Sequence, residues 1–200
     1  MPATPWPVVP SPSVVWFTGL SGAGKSTIAL EVYDRLLGTG LKAEYLDGDI
    51  VRGILPATGY SRRERDEHVR RVGFLASRLE HHGVFVICAL ISPYTESRAC
   101  ARQLCRRFLE IHVATPLEEC ERRDVKGLYR RARRGEIAGF TGIDDVYEEP
   151  VNPDLRIDTR NVTVEQAADL VMSMIESPAP RIRVTSATDA RWLASRSLAR

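Results

Sequence analysis

Lysine is nearly missing from this chain. Of its 28 basic residues only Lys25, Lys42 and Lys126 are lysines, and all the others are arginines. A coding bias toward arginine accounts for that imbalance but not for where the three lysines fall. Long apolar runs are missing too. None approaches the roughly 20 residues that cross a bilayer, and the N-terminus lacks the basic-then-apolar layout of an export signal. Both absences predict a cytoplasmic protein without a membrane span. Net charge is only +2, which leaves no global footprint for nucleic acid. The four cysteines, Cys88, Cys100, Cys105 and Cys120, show neither C-x-x-C nor metal-ligand spacing. A zinc site and a disulfide scaffold are therefore not expected, and Cys88, inside an apolar run, reads as core. No stretch repeats.

What is present begins with Gly19-Leu20-Ser21-Gly22-Ala23-Gly24-Lys25-Ser26-Thr27, a full match to G-x-x-x-x-G-K-[ST]. The apolar run Val14–Thr18 before it reads as a buried strand, and the residues after it carry apolar side chains at helical spacing. In that context the glycines let successive N–H groups turn inward toward phosphate, and the helix N-terminus adds positive charge. Lys25 is then expected at the β- and γ-phosphates and the Ser26 hydroxyl on Mg²⁺. An ordinary glycine turn needs neither residue. The string predicts a nucleoside triphosphate site.

Along the chain, Leu41–Leu46 reads as a second strand ending in Asp47-Gly48-Asp49, two carboxylates at the edge where open α/β sheets bind ligands. Ser61 and Glu64 form a capping box for a long helix with a buried stripe of Val69, Val72, Leu75, Ala76 and Leu79. Its other face carries Arg62, Arg63, Arg65, Arg70 and Arg71. Val84–Ile91 is an unbroken apolar strand closed by Ser92-Pro93, followed by a helix to about Arg107 and the strand Phe108–Val113. Thr115-Pro116-Leu117-Glu118 reads as a capped helix start. From Asp124 to Asn152 periodicity fails, as in a disordered stretch or a lid. Leu155–Thr159 returns to strand, and Thr163 with Gln166 caps a last helix to about Glu176. The pattern predicts an α/β fold, a doubly wound parallel sheet of five strands flanked by helices, over residues 14–176. A Pro-rich leader (residues 1–13) and an Arg-rich tail (177–200), expected to be a flexible appendage, flank it.

Three uses of such a phosphate loop compete. A GTP switch would carry N-K-x-D, which does not occur, and a motor would end an apolar strand in an acidic metal ligand where Ser92 stands. A small-molecule kinase needs an acceptor pocket beside the γ-phosphate and a lid against water. Asp47, Asp49 and the basic stretch Arg122–Arg134 supply both, although the arginines also suit an RNA-binding or regulatory protein.

Leu46-Asp47-Gly48-Asp49-Ile50-Val51-Arg52, Ile91-Ser92-Pro93-Tyr94, Arg123 through Tyr129, and Gly139-Phe140-Thr141-Gly142-Ile143-Asp144-Asp145 together resemble the adenylylsulfate (APS) kinases, in order from about Val14 to Ile175. The resemblance implies transfer of the γ-phosphoryl group of ATP to the 3′-hydroxyl of adenosine 5′-phosphosulfate, in sulfate assimilation. By position it puts Asp49 at that hydroxyl and at the metal, and Arg52 and Arg65 on the phosphosulfate. Tyr60 and Phe140 would flank the acceptor nucleotide, Ile91 and Ser92 would line its site, Lys126 would reach it from the lid, and Arg123 would meet the ATP adenine. Ser92 also matches a serine proposed in the family as a phosphoserine intermediate, a step that in-line transfer does not require. The resemblance further implies a homodimer and a separate ATP sulfurylase upstream. Three positions depart from the family: Ile50 and His68 stand where asparagines are usual, that of His68 contacting substrate, and the segment Gly53–Thr58 is one residue short. These leave open a relative acting on another small hydroxylated metabolite.

Overall fold

The computed structural model describes residues 10–55 and 59–177. Most of the expected leader and tail, and Pro56-Ala57-Thr58 of the short segment, lie outside the described residues. Five strands, β1 (Val14–Thr18), β2 (Ala43–Asp47), β3 (Phe85–Ala89), β4 (Phe108–Val113) and β5 (Leu155–Ile157), form one parallel sheet in the order β2-β3-β1-β4-β5. Seven helices accompany them among the described residues: α1 (Lys25–Gly38), α2 (Gly48–Ile54), α3 (Arg62–His81), α4 (Thr95–Leu104), α5 (Leu117–Arg123), α6 (Leu128–Arg133) and α7 (Val164–Glu176).

Alternation along the central strands builds two cores. Val15, Phe17, Ile87, Ala89, Ile111 and Val113 face α1 and α7, while Val14, Trp16, Val86, Cys88 and Phe108 face α3 and α4. Both faces are covered, which is why β1, β3 and β4 read as apolar runs. On the second face α3 lies so close to α4 that a Cβ on Gly73 would stand 2.7 Å from Ala101 Cβ. The capping boxes Ser61–Glu64 and Thr163–Gln166 are both formed.

Four expectations need correction. The helix after Ser92-Pro93 stops at Leu104, short of Arg107. Leu75 is 41% exposed rather than part of the buried stripe of α3; the stripe recruits His68, Ser77 and Glu80 instead, the Glu80 carboxylate accepting from the Arg106 and Arg107 N–H groups. Gly48 and Asp49, expected at the end of a strand, instead begin a helix, α2, that runs to Ile54. Its N-terminus is capped by the Asp47 side chain, which accepts from the Asp49 and Ile50 N–H groups. The aperiodic stretch 124–152 is packed and contains α6, with Tyr129, Ala132, Phe140 and Thr141 buried.

Candidate active site

Strands β2, β3 and β1 are neighbours in the sheet, and the groups singled out in the sequence gather where these strands end. From β1 the chain turns through the phosphate loop into α1. Gly24 is the N-cap of α1 with φ +104°, and a Cβ there would press on Thr159 Cγ2 at 3.2 Å. The loop is braced from behind. Thr115 Oγ1 and Thr159 Oγ1 lie 2.7 Å apart and 2.9 and 3.1 Å from the Ala23 carbonyl oxygen. The Tyr129 hydroxyl donates to the Ser21 carbonyl at 2.9 Å. Thr115 therefore does not cap α5, whose cap position is Pro116 without a side-chain bond; its hydroxyl serves the loop.

Lys25 is buried, and its Nζ donates to the Leu20 carbonyl at 2.7 Å. Desolvation lowers its pKa to about 8, against the opposing field of Asp49 and Asp47. The neighbouring Ser26 hydroxyl donates to Asp47 Oδ2 at 3.5 Å. Tyr45, its pKa raised to about 12 chiefly by burial, also donates to Asp47 Oδ2, at 3.1 Å. Asp49 pairs with Lys126, from the segment 124–152, Nζ to Oδ2 2.5 Å. Arg123 lies at the root of the loop, with Nη1 on Thr159 Oγ1 and Nε on Glu119 Oε1, both at 2.8 Å.

The arginines expected at the acceptor are engaged within the protein. Arg52 donates to the Gly59 carbonyl at 2.5 Å and lies over the Tyr60 ring at 4.7 Å; Tyr60 itself is 65% exposed. Arg65 donates to Asp145 Oδ2 at 2.9 Å and Tyr60 O at 2.7 Å, and also to Thr141 Oγ1 and Gly139 O. It thus clamps the lid loop, whose turn is closed by Asp144 accepting from the Gly139 and Phe140 N–H groups. Phe140 is buried edge-on against Tyr129, ring centroids 5.0 Å apart.

Ser92 is 2% exposed and has φ +40°, a left-handed conformation rare outside glycine. Its hydroxyl accepts from Trp16 Nε1 at 3.1 Å and donates to Thr18 Oγ1 at 2.9 Å. Its carbonyl accepts from Arg98 Nη1 at 2.7 Å, and Arg98 in turn pairs with Glu110 at 2.9 Å, both largely buried. This serine is built into the floor of the site. The Ile91 carbonyl accepts from Thr18 Oγ1 at 2.7 Å. His68 is likewise buried, and its Nε2 lies 3.0 Å from the Gly48 carbonyl oxygen. Sequence reasoning missed Arg98, Glu110 and the bracing threonines; a glutamate within the apolar run of β4 was the available signal.

A sequence profile for adenylylsulphate kinase matches residues 11–158. The chain is 53% identical to the adenylyl-sulfate kinase of a Picosynechococcus species over 162 residues, 80% of this chain and 92% of that protein. The chain belongs to the adenylylsulfate kinase family. Among solved APS kinases, that of Mycobacterium tuberculosis in complex with AMPPNP and APS superposes with a TM-score of 0.80 at 44% identity, covering 84% of this chain and 100% of that one. The hexameric APS kinase of Thiobacillus denitrificans matches with a TM-score of 0.63 at 33% identity, covering 84% of this chain and 29% of that one. The chain is thus an APS kinase family member, an ATP-dependent kinase with a phosphate loop.

Proposed function

We propose that this chain transfers the γ-phosphoryl group of ATP to the 3′-hydroxyl of adenosine 5′-phosphosulfate, yielding 3′-phosphoadenosine 5′-phosphosulfate and ADP. The observation that carries this reading is the lid lysine Lys126 bonded to Asp49 within the electrostatic reach of Lys25. Donor loop, acceptor carboxylate and lid meet at one point.

In this reading the triphosphate replaces the Leu20 carbonyl as partner of Lys25, whose ammonium offsets charge on the β- and γ-phosphates. Asp49 accepts a hydrogen bond from the 3′-hydroxyl and orients its oxygen in line. As the bond from O3′ to the γ-phosphorus forms and the bridge to ADP breaks, the hydroxyl proton passes to Asp49. Lys126 releases Asp49 as the acceptor enters and turns to its anionic end. Arg52 and Arg65 take the phosphosulfate, Tyr60 and Phe140 the acceptor base, and Ile91 and Ser92 form the floor of that pocket; His68, expected at the acceptor, lies behind it on the Gly48 carbonyl. Arg123 meets the ATP adenine. The Ser26 hydroxyl and the Asp47 carboxylate are hard oxygen donors that would hold Mg²⁺. The cation, when bound, neutralises phosphate charge. Ser92 holds the floor and carries no phosphoryl group, since its hydroxyl is buried between Trp16 and Thr18.

We further infer a kinase domain over 14–176, residence in the cytoplasm, and supply of APS by a separate ATP sulfurylase. The expected homodimer competes with larger assemblies, given a hexameric relative, and sedimentation distinguishes them.

The test is ADP release at low acceptor concentration with APS, AMP and adenosine. APS should exceed adenosine by at least ~10²-fold, since charge-assisted hydrogen bonds contribute about 1.5–3 kcal/mol each. If APS gives no release above the ATP-only background while another hydroxylated metabolite does, the acceptor is wrong.

A further inference from the structure

Asp49 is connected to the lid by two routes. The direct one is the ion pair with Lys126, whose members are 61% and 68% exposed. The indirect one runs through α3. Arg65 on that helix holds the lid at Gly139, Thr141 and Asp145. One turn further on, His68 meets the carbonyl of Gly48, the residue between Asp47 and Asp49. Residues three apart on a helix share a face, so Arg65 and His68 move as one body. Gly48 is confined from its other side as well, because a Cβ there would stand 2.9 Å from Leu90 Cγ. A carbonyl can only accept, so the contact requires the proton on Nε2, which leaves Nδ1 as a buried nitrogen without a partner.

We propose that His68 is a positioning residue: it donates to the Gly48 carbonyl and thereby sets the two carboxylates in register with the lid that Arg65 clamps. It acts through Gly48 and does not touch the acceptor. Being 2% exposed, the imidazole is walled off from a substrate. A neutral side chain with an idle acceptor nitrogen also offers nothing to an anionic phosphosulfate. This rests on the reading of Asp49 as the acceptor-side carboxylate.

The experiment compares His68→Gln, His68→Phe and His68→Met in the full chain. Glutamine carries an N–H at about the reach of Nε2, whereas phenylalanine and methionine leave the Gly48 carbonyl without its donor. Phe should lower kcat by about tenfold, the size of one lost buried hydrogen bond, with KM for ATP and for APS within about twofold. Gln should restore kcat to within about threefold of wild type. If Phe fails to fold, Met, flexible and of intermediate bulk, replaces it in the same comparison. Combined with Lys126→Ala, the loss should be less than the product of the single losses, because both act on one carboxylate. The proposal is overturned if Gln and Phe lose kcat equally, if the double variant is multiplicative, or if KM for APS rises at unchanged kcat, which would make His68 an acceptor contact. Asp49→Asn separates the two claims: retained kcat there refutes the role of Asp49, whereas a steep loss there beside a silent His68 series refutes this inference alone.

Discussion

Lys126 Nζ and Asp49 Oδ2 stand 2.5 Å apart, joining the root of the lid to the carboxylate that follows β2. Both side chains are more than half exposed, so the pair contributes little to folding. In the mechanism proposed above, the pair keeps the acceptor carboxylate masked until an anion draws the lysine away. Lys126→Ala is expected to leave the thermal midpoint within about 2 °C and to lower kcat/KM for APS by roughly tenfold or more, with ATP binding unchanged. Steady-state kinetics beside a melting curve checks this; a large stability loss would make the pair a structural strut.

The environment of Lys25 works against its charge. Burial lowers its pKa to about 8, so in the free enzyme the ammonium predominates below that pH and is lost above it. Phosphate binding favours the charged form, so ATP binding takes up a proton above pH 8. ATP affinity should therefore fall as pH rises from 8 to 9.5, by at most tenfold per unit. Lys25→Ala should reduce turnover at least ~10²-fold at pH 7. Calorimetry in buffers of different ionisation enthalpy measures the proton uptake directly, and none at pH 8.5 would contradict the assignment.

Arg98 and Glu110 form a largely buried pair whose guanidinium also holds the Ser92 carbonyl in its left-handed turn. Glu110→Ala leaves that charge without its partner, since Arg102 and Asp154 lie at the outer end of the cluster. A loss of about 3–5 kcal/mol is expected from denaturant melts. Glu110→Gln, which keeps an acceptor, should cost less.

How far the sequence could be read depended on element length and on cooperation between neighbours. The phosphate loop, both capping boxes and the central strands were legible because each carries its own local signal. Helix α2 was not. It has seven residues, two of them glycine, and is held by an Asp47 cap and by His68 from another element. Helix α6, six residues long and entered through Gly127 at φ +65°, is likewise stabilised by contacts from outside, Tyr129 reaching Ser21 and Phe140. At the site, residue types were readable and partners were not. That Ser26 meets Asp47 while Asp49 meets Lys126 is set where β2 passes directly into α2, and no spacing rule contains it.

His112, on β4, provides the sharpest test of a buried titration. It is 2% exposed, its Nδ1 has no partner, and its ring packs on Tyr147 with centroids 5.8 Å apart. It lines a cavity of about 650 Å³ between the end of β4 and the lid loop, with Ile143, Val146, Glu149 and Arg156. Burial, aided by Arg156 and Arg98 and opposed by Glu149, lowers its pKa from 6.5 to about 4. The unfolded chain thus binds a proton at higher pH than the native one. The native contribution is complete above pH 6.5 and is lost as pH falls toward 4. By pH 5 the loss is roughly 2 kcal/mol from this residue. His112→Phe removes the titrating group and keeps a ring against Tyr147. The slope of unfolding free energy against pH between 6.5 and 5 should therefore shrink by close to one proton, while stability at pH 7.5 changes little. An unchanged slope would mean that His112 is protonated in the native protein, with the cavity admitting enough water to solvate it.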